Sequence, residues 1–185
     1  MKDITLFKNI DTVFLMSIKS KSDLIIGPDG FFLDTSEKEA RRILDSLKSR
    51  KQKSVIAILG IDDAFNRRAL ETLKIDYLVS PELASGRDNL KQRDSGLNHV
   101  TAKIAKEKGI IILIDFTSIS SMKGKLKARR IARVMQNIKI CRRTGTKIKI
   151  ATFAKDKSQL RDKKQLEAFL FSLGMSSKQV KDAFL

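Results

Sequence analysis

Residues 55–81 read VIAILGIDDAFNRRALETLKIDYLVSP. Val55–Leu59 is a short, apolar, β-branched run with charged Lys53 just before it, the pattern of a strand buried on both faces. Gly60 ends it. Asp62 and Asp63 then offer side-chain oxygens to the free N–H groups of a helix start. Ala64, Phe65, Ala69, Leu70 and Leu73 fall on one helical stripe behind them. A second strand, Asp76–Val79, closes at Ser80-Pro81. Strand, helix and strand in immediate succession make a βαβ unit, and such units build a parallel sheet covered by helices.

The alternation continues in both directions. After the loop SPELASGRDNLKQRDSG (80–96), the pattern predicts a helix over Leu97–Lys108, with Val100, Ile104 and Ala105 facing inward and Gly109 as its C-cap. Ile110–Phe116 is the strongest strand signal in the chain. A long helix over Lys123–Arg143 follows, then a strand over Lys147–Phe153, then helices over Lys163–Leu173 and Ser177–Phe184 joined at Gly174. Upstream, Ser36–Arg50 reads as a helix with a Ser36/Glu39 capping box. Thr12–Ile18 and Leu24–Ile26 read as strands. Only a short link separates those two, too short for a helical crossover, so this end is expected to be irregular or a hairpin. The fold class is α/β, with a parallel sheet that is barrel-like or doubly wound. A complete eightfold barrel takes about 250 residues, so a barrel of 185 residues is expected to be trimmed or incomplete.

Charge is the second guide. The formal net charge is +17 and the pI about 10.1, well past the roughly 2–8 units that solubility asks of a small domain. No Asp or Glu occurs between Phe116 and Lys155. A sustained field of one sign repels itself unless a polyanion answers it, and nucleic acid is the commonest polyanion. A membrane is not expected. No apolar run is longer than Ile110–Ile114, against the roughly 20 residues of a span, and there is no Trp. The opening MKDITLFKNIDTV has neither signal-peptide nor lipidation character. The single cysteine, Cys141, excludes an internal disulfide and a multi-cysteine zinc site, which points to a reducing compartment and a cytoplasmic location.

Candidate binding residues follow from the charge. On the long helix, Ile131, Val134, Met135 and Ile138 form the inward stripe. Arg129, Arg130 and Arg133 are expected on a solvent face, unneutralised because the helix has no acid at i+4. Lys123, Lys125 and Lys127 open the helix against its positive dipole, where a phosphate would relieve the repulsion. Arg87 and Arg93 lie in the loop beyond a strand's carboxyl end, where α/β sheets bind ligands. His99 is the only histidine. One histidine cannot build a phosphoesterase metal centre, and no Gly-rich phosphate loop or nucleophile motif is present. Asp115, at the end of the strongest strand, is a catalytic candidate by position alone. The aromatic residues, ten Phe and one Tyr, read mostly as core, so recognition is expected through phosphates and shape.

The segment YLVSPELASGRDNLKQRDSGLNHVTAKIAKEKGIIILIDF (77–116) resembles the ribonuclease P protein component 3 family, the thirty-kilodalton subunit of archaeal and eukaryotic ribonuclease P. It carries a strand ending in Ser-Pro, then Gly-Leu-Asn-His leading into Ala-Lys and a strand. The likeness continues through LKARRIARVMQNIKICRRTGTKIKIATFA and LRDKKQLEAFLFSLGMSSKQVKDAF, and covers roughly Ser54 to Leu185. Residues 1–53 match poorly. The resemblance implies one component 3-like domain over residues 1–185. It implies a TIM-barrel-like fold of the metallophosphoesterase kind without the metal site. It also implies an accessory role in removing the 5′ leader of precursor tRNA. The partners so implied are the ribonuclease P RNA, component 2 and, indirectly, precursor tRNA. No cofactor would be held by the protein, Mg²⁺ accompanying the RNA. Arg161, in the family-like Arg-Asp pair, joins Arg87, Arg93, His99, Lys123, Lys125, Arg129, Arg130 and Arg133 as an RNA contact. The alternatives are a self-sufficient metal-dependent nuclease using Asp115 or His99, and a general scaffold for structured RNA.

Overall fold

A computed structural model describes residues 3–9, 11–25, 27–49, 54–83, 88 and 93–185. Among the described residues, seven strands form one sheet in sequential order: β1 (Asp3–Thr5), β2 (Thr12–Ile18), β3 (Gly30–Leu33), β4 (Val55–Leu59), β5 (Tyr77–Val79), β6 (Ile111–Asp115) and β7 (Ile148–Ala151). Every neighbouring pair is parallel. The helices lie outside: α1 (Glu37–Ser49), α2 (Asp63–Thr72), α3 (His99–Glu107), α4 (Phe116–Ser121), α5 (Gly124–Thr144), α6 (Lys163–Ser172) and α7 (Ser177–Asp182).

The sheet curls until its first and last strands meet. Thr5 bridges Ala154 in parallel, Phe153 N donates to Ile4 O at 2.9 Å, and Leu6 N donates to Ala154 O at 2.8 Å. The carboxylate of Asp3 adds a side-chain clasp, accepting from Thr152 N at 2.8 Å and from the Thr152 hydroxyl. The result, among the described residues, is a nearly closed, seven-stranded, TIM-barrel-like α/β fold, against eight strands in the full form.

Alternation along each strand divides the apolar residues in two. Leu15, Phe32, Ala57, Val79, Leu113, Ala151 and Phe153 fill the barrel, with Phe32 and Phe153 ring centroids 5.3 Å apart. Phe31, Leu33, Ile56, Ile58, Leu78, Ile112, Ile114 and Ile150 face outward under the helices. Small residues, Ala57 and Ala151, leave room for the paired phenylalanines in so narrow a ring.

The first third departs from its sequence pattern. Leu24–Ile26 is not a strand over its described residues, and Ile26 lies outside them. The Asp23 carboxylate accepts from Lys19 N and Ser20 N, both at 2.9 Å, and closes a tight 3-10 turn at Lys21–Asp23. Leu24 then tucks into the core while Ile25 stays exposed. The strand that follows is Gly30–Leu33, masked in sequence by the turn-like Gly27-Pro28-Asp29-Gly30. It pairs parallel with β2, so there is no hairpin. The Ser36/Glu39 capping box is half made. Glu39 N donates to Ser36 Oγ, but the Glu39 side chain turns away to Lys21 N and Arg42.

Smaller differences have local causes. Asp62 caps α2, accepting from Phe65 N, so Ala64 in its first turn is exposed. Asn98 caps α3 through Val100 N and Thr101 N, which begins the helix at His99 and leaves Val100 outside, with Thr101, Ala102 and Ala105 buried instead. Gly109 follows that helix in the left-handed region (φ 72°), one residue past the cap at Lys108. Asp115 caps a further short helix, α4, which the sequence pattern did not separate from the strand.

Candidate nucleic-acid interface

The carboxyl ends of the strands define one face of the barrel. Three connections leave it on the basic side: residues 80–98 after β5, 116–123 after β6, and 152–162 after β7. The beginnings of α3, α5 and α6 stand on the same rim. Exposed on it are Arg93, His99 at the first position of α3, and Lys123 and Lys125 flanking the start of α5. Lys155 and Lys157 lie in the β7–α6 connection. Arg129 is exposed just over a turn into α5. Because α3 packs against α5 and β5, β6 and β7 are neighbours in the sheet, these positions lie along one rim. Lys123 is the N-cap of α5 and makes no side-chain capping bond, so the first turn of a 21-residue helix offers free N–H groups beside two lysines.

Arg161 is tied down more firmly. Its Nη1 donates to Ser158 O and Leu160 O, and its guanidinium lies 6.0 Å from the Phe116 ring centroid. It joins the β7–α6 connection to α4 with its charge only partly exposed. Arg87 lies outside the described residues.

Arg130 and Arg133 depart from the expectation of a solvent face. They are 4% and 3% exposed. Arg130 Nε meets Glu82 Oε1 at 3.0 Å, Nη2 donates to Ser80 Oγ at 2.9 Å, and Nη1 donates to Ser118 Oγ. Arg133 Nε meets Asp88 Oδ1 at 2.8 Å and Nη1 donates to Glu82 O at 3.2 Å. The absence of acid on α5 had suggested uncompensated arginines, but the compensating carboxylates come from the loop after β5. A charge buried this deeply needs such partners. The same loop receives Gln136 Nε2 on Arg93 O and Ser95 Oγ, and Asn137 Nδ2 on Ser95 O. From α2, buried Asn66 donates to Pro81 O and Gly96 O. Gly96 has φ +67°, and a Cβ there would lie 1.7 Å from Pro81 O, so only glycine fits. The polar half of α5 thus anchors a long loop to the barrel.

Asp115 sits beside this cluster, its carboxyl accepting from Ser118 N at 2.9 Å. Burial pushes its pKa up to about 6, while the Ser118 N–H and the Arg130 charge pull the other way and Glu82 adds to the rise. His99 is exposed at the first position of α3. Among the described residues no group of three or more His, Cys, Asp or Glu is placed to hold a metal ion, and no helix is long and apolar enough to cross a membrane. Ser80, Glu82, Asp88 and Ser118 were missed in the sequence.

Comparison with known proteins agrees with the fold and extends the match. The structure superposes on a chain in a cryo-electron-microscopy structure of archaeal ribonuclease P with mature tRNA, with a TM-score of 0.74, 21% identity, and coverage of 99% of this chain and 86% of that one. Aspergillus niger ochratoxinase shares the barrel more distantly, with a TM-score of 0.58, 14% identity, and coverage of 85% and 38%. In sequence, the chain is 29% identical over 135 residues to ribonuclease P protein component 3 of Methanocaldococcus jannaschii, covering 72% of this chain and 55% of that protein. It is 27% identical over 136 residues to the component 3 of Methanosarcina mazei, covering 74% and 54%. The chain therefore spans about half the length of the curated relatives it matches. The family model for RNase P subunit p30 matches residues 33–185, starting earlier than Ser54 and so taking in α1. With a match over so much of the barrel, the chain belongs to the RNase P subunit p30 family.

Proposed function

We propose that this chain is a protein subunit of a ribonuclease P ribonucleoprotein, binding and stabilising the catalytic RNA for removal of the 5′ leader from precursor tRNA. The observation that carries this is the exposed basic rim at the carboxyl ends of β5, β6 and β7: Arg93, His99, Lys123, Lys125 and Arg129, with Lys155 and Lys157 beside them. Family membership supports the same assignment. The protein's part is electrostatic. Each phosphate it neutralises releases condensed counterions, so affinity falls with salt by a slope of about 0.9 per duplex contact. In this reading the Mg²⁺ ions belong to the RNA, component 2 is the protein partner, and the complex works in the cytoplasm. Arg130 and Arg133 act through the fold, holding the β5–α3 loop that carries Arg93.

The test is precursor-tRNA cleavage at limiting Mg²⁺ by the cognate catalytic RNA, with and without this chain plus component 2. A large rate gain only in the full mixture is expected. Cleavage by the chain in the absence of RNA, or no gain, would overturn the assignment. Replacing Lys123, Lys125 and Arg129 with Glu should remove most of the gain at an unchanged melting temperature. A parallel fall in melting temperature would mean that these side chains also serve the fold.

A further inference from the structure

Helix α5 is basic at both ends and neutral between them. From Arg130 to Ile138 its only charges are Arg130 and Arg133, and both are buried in ion pairs. The residues of that stretch with partial exposure are Ile131, Ala132, Met135 and Gln136. Nine residues at 1.5 Å each make a waist of about 13 Å. A Debye length at physiological salt is about 8 Å, so the two ends act as separate electrostatic surfaces.

The far end is built as a concavity. A cavity of about 360 Å³ lies between the end of α5, the start of β7 and α7. Arg142, Lys147 and Lys178 line it, against the one carboxylate of Asp182, and Ser176 adds a hydroxyl. Arg142 is held in place, its Nε on Gln179 Oε1 at 2.7 Å and its Nη2 on Gly174 O. Lys139 and Arg143 are exposed on the last turns of α5. The C-terminal dipole of α5 favours cations here and disfavours anions. Two of its last four carbonyls are, however, answered: Thr144 O accepts from Lys106 Nζ, and Cys141 O accepts from Gly145 N and Thr146 N. An anion in the cavity therefore meets lysine and arginine heads more than bare carbonyls.

We infer that this opposite end of α5 is a second phosphate-binding surface, for a separate segment of RNA, so that one chain bridges two RNA segments about 28 Å apart along the helix. The inference rests on the RNA-binding assignment above. A duplex laid along α5 to reach both ends would cross the uncharged waist, where it gains no counterion release. Two segments, each seated on one end, gain it at both.

The experiment uses the full chain, two short RNA duplexes of mixed sequence, one donor-labelled and one acceptor-labelled, and sedimentation to count duplexes per chain. The distal variant carries Lys139→Glu, Arg143→Glu, Lys147→Glu and Lys178→Glu. The proximal variant carries Lys123→Glu, Lys125→Glu and Arg129→Glu. Thermal melting of each variant checks that it folds. The expected result is two duplexes per wild-type chain with energy transfer between them. Either folded variant should bind one duplex, with the transfer lost. One duplex per wild-type chain, with the distal variant binding as wild type does, overturns the bridge and leaves the RNA-binding assignment standing. No binding by wild type at all overturns both. If a variant melts early, Lys147→Glu with Lys178→Glu alone replaces the distal set, and Lys123→Glu with Lys125→Glu replaces the proximal one.

Discussion

Glu82→Gln isolates what the buried arginines contribute. The substitution keeps the size of the side chain and an oxygen facing Arg130 Nε, and removes only the charge. In the native protein the pair lies 3.0 Å apart, with side chains 4% and 2% exposed. Stripping the partner from a buried charge typically costs about 3–5 kcal/mol. The lower end applies here, because Ser80 and Ser118 still accept from Arg130 and because Asp115, whose charge also faces Arg130, is ionised at neutral pH. For 185 residues, an unfolding entropy of about 2.1 cal/mol/K per residue converts about 3 kcal/mol into a fall of about 8 °C in melting temperature. Calorimetry at pH 7 reads it. Combining Glu82→Leu with Arg130→Met should recover much of the loss, since an apolar pair of similar volume avoids the desolvation penalty. A melting point within about 2 °C of wild type for Glu82→Gln would refute the claim that these arginines serve the fold.

Three further outcomes are expected. The Asp115 carboxyl titrates at about 6 in the folded chain, above its ordinary value near 4. Its contribution is therefore fully present below about pH 4 and is lost as pH rises through 6. Asp115→Asn, which keeps a capping oxygen for Ser118 N, should gain stability relative to wild type between pH 4 and pH 7. The gain is at most about 3 kcal/mol, and pH-dependent melting curves of the two proteins would show it. Asp3→Ala removes the acceptor for the Thr152 N–H and hydroxyl and should destabilise by about 1–3 kcal/mol in urea unfolding. Burial pushes the Cys141 thiol up to about 12, so it should resist a thiol reagent at pH 8 in the native protein and react on unfolding. Fast native labelling would mean that α5 opens locally.

Much of the barrel was legible because parallel strands buried on both faces leave continuous apolar runs: Val55–Leu59 and Ile110–Phe116 were found within a residue or two of β4 and β6. Gly30–Leu33 was not, because its turn-rich approach outweighed a run of only four residues. The basic rim was legible as composition, and Lys123, Lys125, Arg129, Arg93 and His99 do stand at the surface. Sequence did not separate exposed from buried arginine on one helix. Arg129 and Arg133 lie one turn apart, and what distinguishes them is that Arg133 is buried and bonded to Asp88, forty-five residues away in the chain, and to Glu82 O. Helical periodicity carries no record of a partner on another element.

The clasp between Asp3 and Thr152 also bears on how the chain acquires its shape during synthesis. Strand β1 is made about 150 residues before its second neighbour, the end of β7 with Phe153 and Ala154. Until residue 154 has left the ribosome, the growing sheet has two unpaired parallel edges, the kind of edge that recruits other strands. Ring closure brings together residues about 150 positions apart, the slowest class of contact to form. A nascent chain therefore stays an open, adhesive ribbon while everything between these two strands is made, and the window in which a chaperone or an RNA could shield it is set by the distance between Asp3 and Thr152.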